Sequence, residues 1–174
     1  MTNMNFDVAR FNMIEQQIRT WEEVMQKIPR EMFVPDNYQQ LAFADIEIPL
    51  PAGQTMLAPK VVGRILQALD INPDDRILEI GTGSGYLTAC LSQLGNAVIS
   101  VEINEEIHRL AKRNLDKLDI NNVTLKVGDA ADGWTQDASF DVIVVTASLP
   151  VCNNCFGNML QNSGRLFVLS QKKK

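Results

Sequence analysis

Cysteine is scarce in this sequence, three in 174 residues, at Cys90, Cys152 and Cys155. A small odd number in a chain long enough to build a core without covalent staples argues against a disulfide framework and points to a cytosolic compartment. Cys152 and Cys155 have C-x-x-C spacing, but no second pair and no ligand histidine accompanies them, so no metal site is expected. His108 is the only histidine, and beside Arg109 and Lys112 it reads as a solvated helix residue rather than a catalytic base. Positive charge is also in short supply: 16 Lys+Arg against 21 Asp+Glu give a net charge of -5 and an isoelectric point near 4.9. With no overall positive field to attract a phosphate backbone or an anionic bilayer, neither a nucleic-acid nor a membrane partner is expected. Long apolar runs are missing as well. Val142 to Val145 falls far short of the roughly 20 residues that cross a bilayer, and the start MTNMNFDVAR lacks the basic and apolar regions of a Sec signal.

At 45% hydrophobic and 21% charged, the composition is that of one ordinary globular domain, and residues 1–174 are read as a single unit without repeats. Its texture changes near residue 72. In residues 1–71, Val8, Phe11, Ile14 and Ile18 recur at helical spacing, a second short helix covers Glu22 to Lys27, and the turn at Pro29 ends it. From Pro35 to Pro59 there is little periodicity, which predicts a long ordered loop with short extended pieces. A helix then starts with Pro59 at its first position and carries the apolar stripe Val62, Ile65, Leu66 and Leu69.

Residues 72–174 alternate strand, turn and helix. Strands are expected at Arg76–Ile80, Ala97–Glu102, Val123–Val127, Phe140–Val145 and Arg165–Leu169. One helix runs from Tyr86 to a stop at Gly95; another is capped by Asn104, with Glu105 and Glu106 in its first turn and Lys112, Arg113 and Lys117 in its last. Buried runs separated by helices imply right-handed crossovers, hence an α/β, Rossmann-like parallel sheet with helices on both faces behind an N-terminal helical extension.

The most informative segment is Glu79-Ile80-Gly81-Thr82-Gly83-Ser84-Gly85-Tyr86, a strand end, a glycine-rich turn and a helix start. Glycines at 81, 83 and 85 permit a sharp turn and close approach of a ligand to the backbone, but their G-x-G-x-G spacing is not the G-x-G-x-x-G of a dinucleotide site. Glu79 sits before the turn and Glu102 ends the next strand, where an acid can accept both ribose hydroxyls of an adenosine ligand. Gly128-Asp129-Ala130 places a further acid at the same sheet edge, positioned for an adenine amino group. Three strand-end acids in register make a purely structural turn the weaker reading.

LEIGTGSGYLTA followed by VEI, GDA and FDVIVVTAS resembles the class I S-adenosylmethionine-dependent methyltransferases. The flanks MIEQQIRTWE, IPREMFVPDNY, LAFADIEIPL, GQTMLAPKVVGRIL and GDAADGW resemble, over nearly the whole chain, the protein-L-isoaspartate O-methyltransferase family. That resemblance implies S-adenosyl-L-methionine as cofactor and, as substrate, a peptide or protein bearing L-isoaspartyl residues, methylated in protein repair. It further implies that Gly81, Thr82, Gly83, Ser84 and Gly85 wrap the amino-acid part of the cofactor, with Glu79 and Tyr86 completing that cradle. Glu102 would hold the ribose, and Asp129 with Ala130 the adenine. Gln54, Thr55, Met56 and Leu57 match the loop that closes over the sulfonium and the substrate. No general base is required, because a carboxylate is already ionised at pH 7 and the protein's part is positioning and desolvation.

The sequence departs from the family at three places. Leu57 stands where members have a serine, several residues between Trp21 and Pro29 are missing, and the chain ends at Lys174, so the sixth and seventh strands are expected to be absent. Leu57 predicts intact cofactor binding with weak isoaspartyl turnover. The competing reading is therefore a cofactor-binding homologue that acts on another substrate or serves as an interaction module.

Overall fold

The computed structural model describes residues 22–134, 139–148 and 155–169. The expected first amphipathic helix, Trp21, Cys152 and the terminal lysines lie outside the described residues. Among the described residues four helices follow in order: α1, Glu22–Lys27; α2, Pro59–Leu69; α3, Tyr86–Leu94; and α4, Glu105–Leu115. Strands β1 (Ile48–Pro49) and β2 (Thr55–Met56) form a small antiparallel pair, and β3 (Arg76–Ile80), β4 (Ala97–Glu102), β5 (Val123–Val127), β6 (Phe140–Val145) and β7 (Leu160–Val168) form the main sheet.

Local chemistry accounts for the helix ends. Pro59 opens α2, whose Val62, Ile65, Leu66 and Leu69 are all buried, each contributing roughly 1.5–3 kcal/mol relative to exposure. The Asn104 side chain accepts hydrogen bonds from the Glu106 and Ile107 N–H groups at 2.8 and 3.2 Å, capping α4. That helix stops at Leu115 with Lys112 and Arg113 in its last turn, so Lys117, expected there, lies just beyond it. His108 on α4 is half-buried rather than fully solvated, because the Ile107 and Ala111 stripe that faces the core draws that side of the helix inward.

The main sheet is parallel throughout, in the order β5-β4-β3-β6-β7. While the chain steps from β3 to β4 to β5, right-handed crossovers put α3 and α4 on one face. There Ile77, Val98, Val142 and Val144 pack with residues of α1 to α4. The chain then returns to β6, on the other side of β3, and the opposite face carries Leu78, Ile80, Val101, Ile143 and Val145. Among the described residues, Ala130, Trp134 and Phe156 pack on that face, with Met159 of the 3-10 turn Gly157–Met159 beside them.

Strand β7 begins earlier than its apolar pattern predicts. Phe140 pairs with Leu160 and Val142 with Arg165, so Gln161 to Gly164 bulge out of the ladder and Ser163 takes a positive φ of 68°. These polar residues carry no alternation, which is why only the second half of the strand is visible in sequence. Arg165 pins the strand through an ion pair with Asp75 and a hydrogen bond to the Asp70 carbonyl. Among the described residues the sheet has five strands, with β5 and β7 at its edges.

The Pro35–Pro59 segment is a loop with more order than its sequence suggests. It contains the 3-10 turn Asp36–Leu41 and the β1–β2 pair, joined by a second turn at Pro51–Gly53. A further 3-10 turn, Arg30–Phe33, precedes it.

Candidate cofactor and substrate site

The strand order reverses beside β3, and in open parallel sheets ligands bind beyond the carboxyl ends of strands at such a switch point. A cavity of about 460 Å³ opens there, within the usual range for small-molecule sites. One wall is the glycine turn after β3, the Glu102–Ile103 end of β4 and Thr146 to Ser148 after β6; the other is Gly53 to Leu57 with Arg30 and Glu47.

The first two glycines of the turn differ in what surrounds them. Gly81 has φ +98°, and a Cβ there would lie 2.8 Å from the Ala147 nitrogen, so bare backbone is required for packing. Gly83 has φ +57° and a Cβ would meet nothing within 4 Å, which leaves its surface open to a ligand. Thr146 donates to the Gly81 carbonyl at 3.0 Å, and Asn114 of α4 donates to the Ser84 carbonyl at 3.0 Å, so neighbouring elements clamp the turn from both sides.

Behind the turn lies a buried polar chain. Thr88 and Ser100 donate to one oxygen of Glu79 at 2.5 and 2.6 Å, and the Ser100 hydroxyl is 2.6 Å from that of Thr82. Because the Ser100 proton is committed to Glu79, Thr82 must donate to Ser100. Burial pushes the Glu79 carboxyl up to about 7, against the opposing effect of these hydroxyls. Its second oxygen is buried without a partner. Burial likewise pushes the Cys90 thiol up to about 12, leaving it inert at neutral pH.

Glu102 has a different setting. One oxygen accepts the Gly83 N–H and the other the Asn104 N–H, both at 3.1 Å. Each carboxylate oxygen retains acceptor capacity and Glu102 lines the cavity, which suits a pair of ribose hydroxyls.

On the facing wall, β1 and β2 present Thr55 and Met56, Met56 buried and Thr55 exposed with its hydroxyl 3.4 Å from Glu47. Leu57 is half-buried and packs against the core. Its carbonyl accepts from Arg30 Nη2 at 2.7 Å, and the Arg30 Nε donates to the Ala42 carbonyl at 2.7 Å. The guanidinium lies 4.9 Å from the Tyr86 ring centroid, and Tyr86 in turn meets Phe33 edge-on with centroids 5.5 Å apart. Burial lowers the Arg30 pKa from its ordinary value, yet a guanidinium remains charged.

Of the residues expected from sequence, Thr55, Met56, Leu57, Gly81, Thr82, Gly83, Ser84, Tyr86 and Glu102 line the cavity together. Glu79 and Gly85 stand behind it, Glu79 fully buried; Asp129 is exposed at the end of β5 and Ala130 is buried beneath it, neither in the cavity wall. Arg30 was not legible as a site residue. The one available signal is a lone cation among the apolar residues Ile28, Met32, Phe33 and Val34. Thr146 to Ser148 were legible in sequence only as the end of the FDVIVVTAS motif, with no site role given to them.

A family model described as Protein-L-isoaspartate(D-aspartate) O-methyltransferase matches residues 10–174. A Geobacter metallireducens protein-L-isoaspartate O-methyltransferase is 37% identical over 172 residues, covering 95% of this chain and 80% of the relative. One from Protochlamydia amoebophila is 42% identical over 146 residues, 84% of this chain and 70% of its own. Among solved structures, a protein-L-isoaspartate O-methyltransferase superposes with a TM-score of 0.79 at 27% identity, covering 93% of this chain and 54% of that one. A Plasmodium falciparum structure described as a putative member in complex with S-adenosyl-L-homocysteine shares the fold, with a TM-score of 0.77 at 20% identity over 94% of this chain and 83% of its own. Matched by the family model along nearly all its length and by relatives well above 30% identity, this chain belongs to the protein-L-isoaspartate(D-aspartate) O-methyltransferase family of S-adenosylmethionine-dependent methyltransferases.

Proposed function

We propose that this chain binds S-adenosyl-L-methionine on the glycine-turn wall of the cavity and methylates the carboxylate of L-isoaspartyl residues in damaged proteins or peptides held against the Gln54–Leu57 wall. The observation that carries this reading is one cavity whose lining includes Gly83 and Glu102 together with Thr55, Met56 and Leu57. The open surface at Gly83 and the spare acceptors of Glu102 fit the cofactor's amino-acid and ribose parts. Asp129 and Ala130, at the end of β5, receive the adenine in this reading.

When bound, the cofactor supplies an activated methyl group. The residues of the chain do the rest by placement. Glu102 orients the ribose, Gly81 to Gly85 keep side chains out of the ligand's path, and Glu79 holds the turn from behind through Thr88 and Ser100. The acceptor carboxylate is ionised at neutral pH, so the cavity has only to align and desolvate it. A cytosolic setting fits the scarce cysteines, and among the described residues no helix is long and apolar enough to cross a membrane.

Leu57 supports a second reading, a cofactor-binding homologue with weak isoaspartyl activity. Its side chain packs into the core and lines the cavity without offering a hydrogen bond. Calorimetric titration with S-adenosylhomocysteine and NAD, followed by methyl transfer to an isoaspartyl peptide, tests both. Binding of S-adenosylhomocysteine with turnover supports the first reading; binding without turnover supports the second; binding of NAD instead removes both.

A further inference from the structure

Arg30 is fully buried, it lines the cavity, and no carboxylate among the described residues lies within ion-pair distance of it. Two of its nitrogens are committed to the Ala42 and Leu57 carbonyls, while Nη1 is buried without a partner. Asp45, whose charge reaches it, is exposed and lies 3.9 Å from Lys60. A buried cation without a counter-ion is costly, and two carbonyls with one aromatic face offset only part of that cost. Such an arrangement is favourable where the missing negative charge arrives with a ligand.

We propose that Arg30 is the residue that selects the ionised acceptor carboxylate, supplying the positive charge to that part of the cavity and, through the Leu57 carbonyl, holding the loop in place over it. The inference rests on the proposed function and names the group that confers its preference for an anion. Arg30 Nη2 is bonded to the Leu57 carbonyl in the Gln54–Leu57 loop, the segment proposed to hold the acceptor, while its guanidinium also lies 4.9 Å from the ring of Tyr86, which follows the glycine turn; the cofactor's own carboxylate is therefore the alternative that the test separates. With Leu57 in place of a hydroxyl, no side chain at position 57 can do this work.

The test compares two peptides that differ only at the acceptor, an isoaspartyl carboxylate and the corresponding isoasparaginyl amide. Their dissociation constants are measured on the protein saturated with S-adenosylhomocysteine. The wild type should bind the carboxylate at least about tenfold more tightly than the amide, as expected for a charge-assisted hydrogen bond. In Arg30→Gln that ratio should fall to near one, while affinity for S-adenosylhomocysteine changes less than about threefold; Arg30→Lys should restore much of the ratio, because it restores the charge. A wild type that binds both peptides equally overturns the proposal whether or not any variant folds. So does a folded Arg30→Gln that keeps the wild-type ratio, or one whose S-adenosylhomocysteine affinity collapses while the ratio stands, which would assign the charge to the cofactor. Turnover of the isoaspartyl peptide by the wild type is measured alongside: turnover without an Arg30 effect removes this inference alone, whereas absence of both binding and turnover removes the functional reading and this inference with it.

Discussion

The wall of the cavity built on the glycine turn and the wall built on the Gln54–Leu57 loop are held in place by different means. The turn lies between β3 and α3, is bonded to β6 by Thr146 and to α4 by Asn114, and delivers the Gly83 N–H to Glu102. Several independent contacts position it, so one substitution there can alter ligand contact while leaving the fold intact. The opposing loop contains strands of two residues and short 3-10 turns, and Arg30 joins it to the Ala42 carbonyl and to the Tyr86 ring. Beyond the β1–β2 pair and the burial of Met56, one side chain, Arg30, ties this loop to distant parts of the chain, so a change there can displace it. In the proposed reading, cofactor affinity rests on the first wall and acceptor recognition on the second, so single substitutions should separate them.

The largest expected effect separates two glycines within the turn itself. Gly81→Ala forces a Cβ to 2.8 Å from the Ala147 backbone at a φ no alanine favours, so overpacking and backbone strain together should cost about 2–5 kcal/mol in denaturant unfolding. Gly83→Val meets open space, so the fold should lose no more than about 1–3 kcal/mol of strain while S-adenosylhomocysteine binding is abolished. Equal stability losses with retained binding at both positions would mean that the Gly83 surface is not where the ligand approaches.

Glu79 should impose a pH dependence on stability from behind the same wall. Its carboxyl titrates near 7 in the folded chain against 4.5 as the ordinary value. Between these pH values the folded state holds a proton that the unfolded state has released, so stability falls as pH rises from about 4.5 to about 7. The full charge-burial cost is present above that window and absent below it, and amounts to about 3 kcal/mol at 1.36 kcal/mol per unit. Glu79→Gln should flatten this slope in unfolding curves recorded across the window; a variant with the wild-type slope would assign the dependence to other groups.

Glu102→Ala removes the acceptor of two backbone N–H groups and of the proposed ribose contacts. Calorimetry should show S-adenosylhomocysteine binding weakened by roughly 1.5–3 kcal/mol, with the unfolding midpoint lowered only as far as the loss of an acceptor for two part-buried N–H groups requires. Unchanged affinity in a folded variant would take Glu102 out of the site.

The smallest effect belongs to the loop wall. Leu57→Ser should raise kcat/KM for an isoaspartyl peptide by about tenfold, the factor that 1.36 kcal/mol of barrier represents, with little change in cofactor affinity. If the wild type already turns over briskly and serine adds nothing, the Arg30-held backbone alone orients the acceptor.

From sequence alone, the elements that depend on local chemistry were legible. Pro59 and the Val62–Leu69 stripe mark α2, Asn104 marks the start of α4, apolar runs mark β3, β4 and β6, and apolar-polar alternation marks the edge strand β5, because capping, periodicity and burial leave their trace within a few residues. Glu102 and the glycines were legible for the same reason, since a strand end followed by a turn sets their place at the sheet edge. What only the tertiary structure decided concerns groups whose partners are distant in the chain. The polar half of β7 exists because β6 offers a ladder to it, and Glu79 is a buried, proton-holding support rather than a cavity wall because Ser100 and Thr88 close around it. Arg30 lines the cavity because folding brings Ala42, Leu57 and Tyr86 to one guanidinium, and the free energy of that meeting lies in desolvation and through-space charge, which no local pattern of residues records.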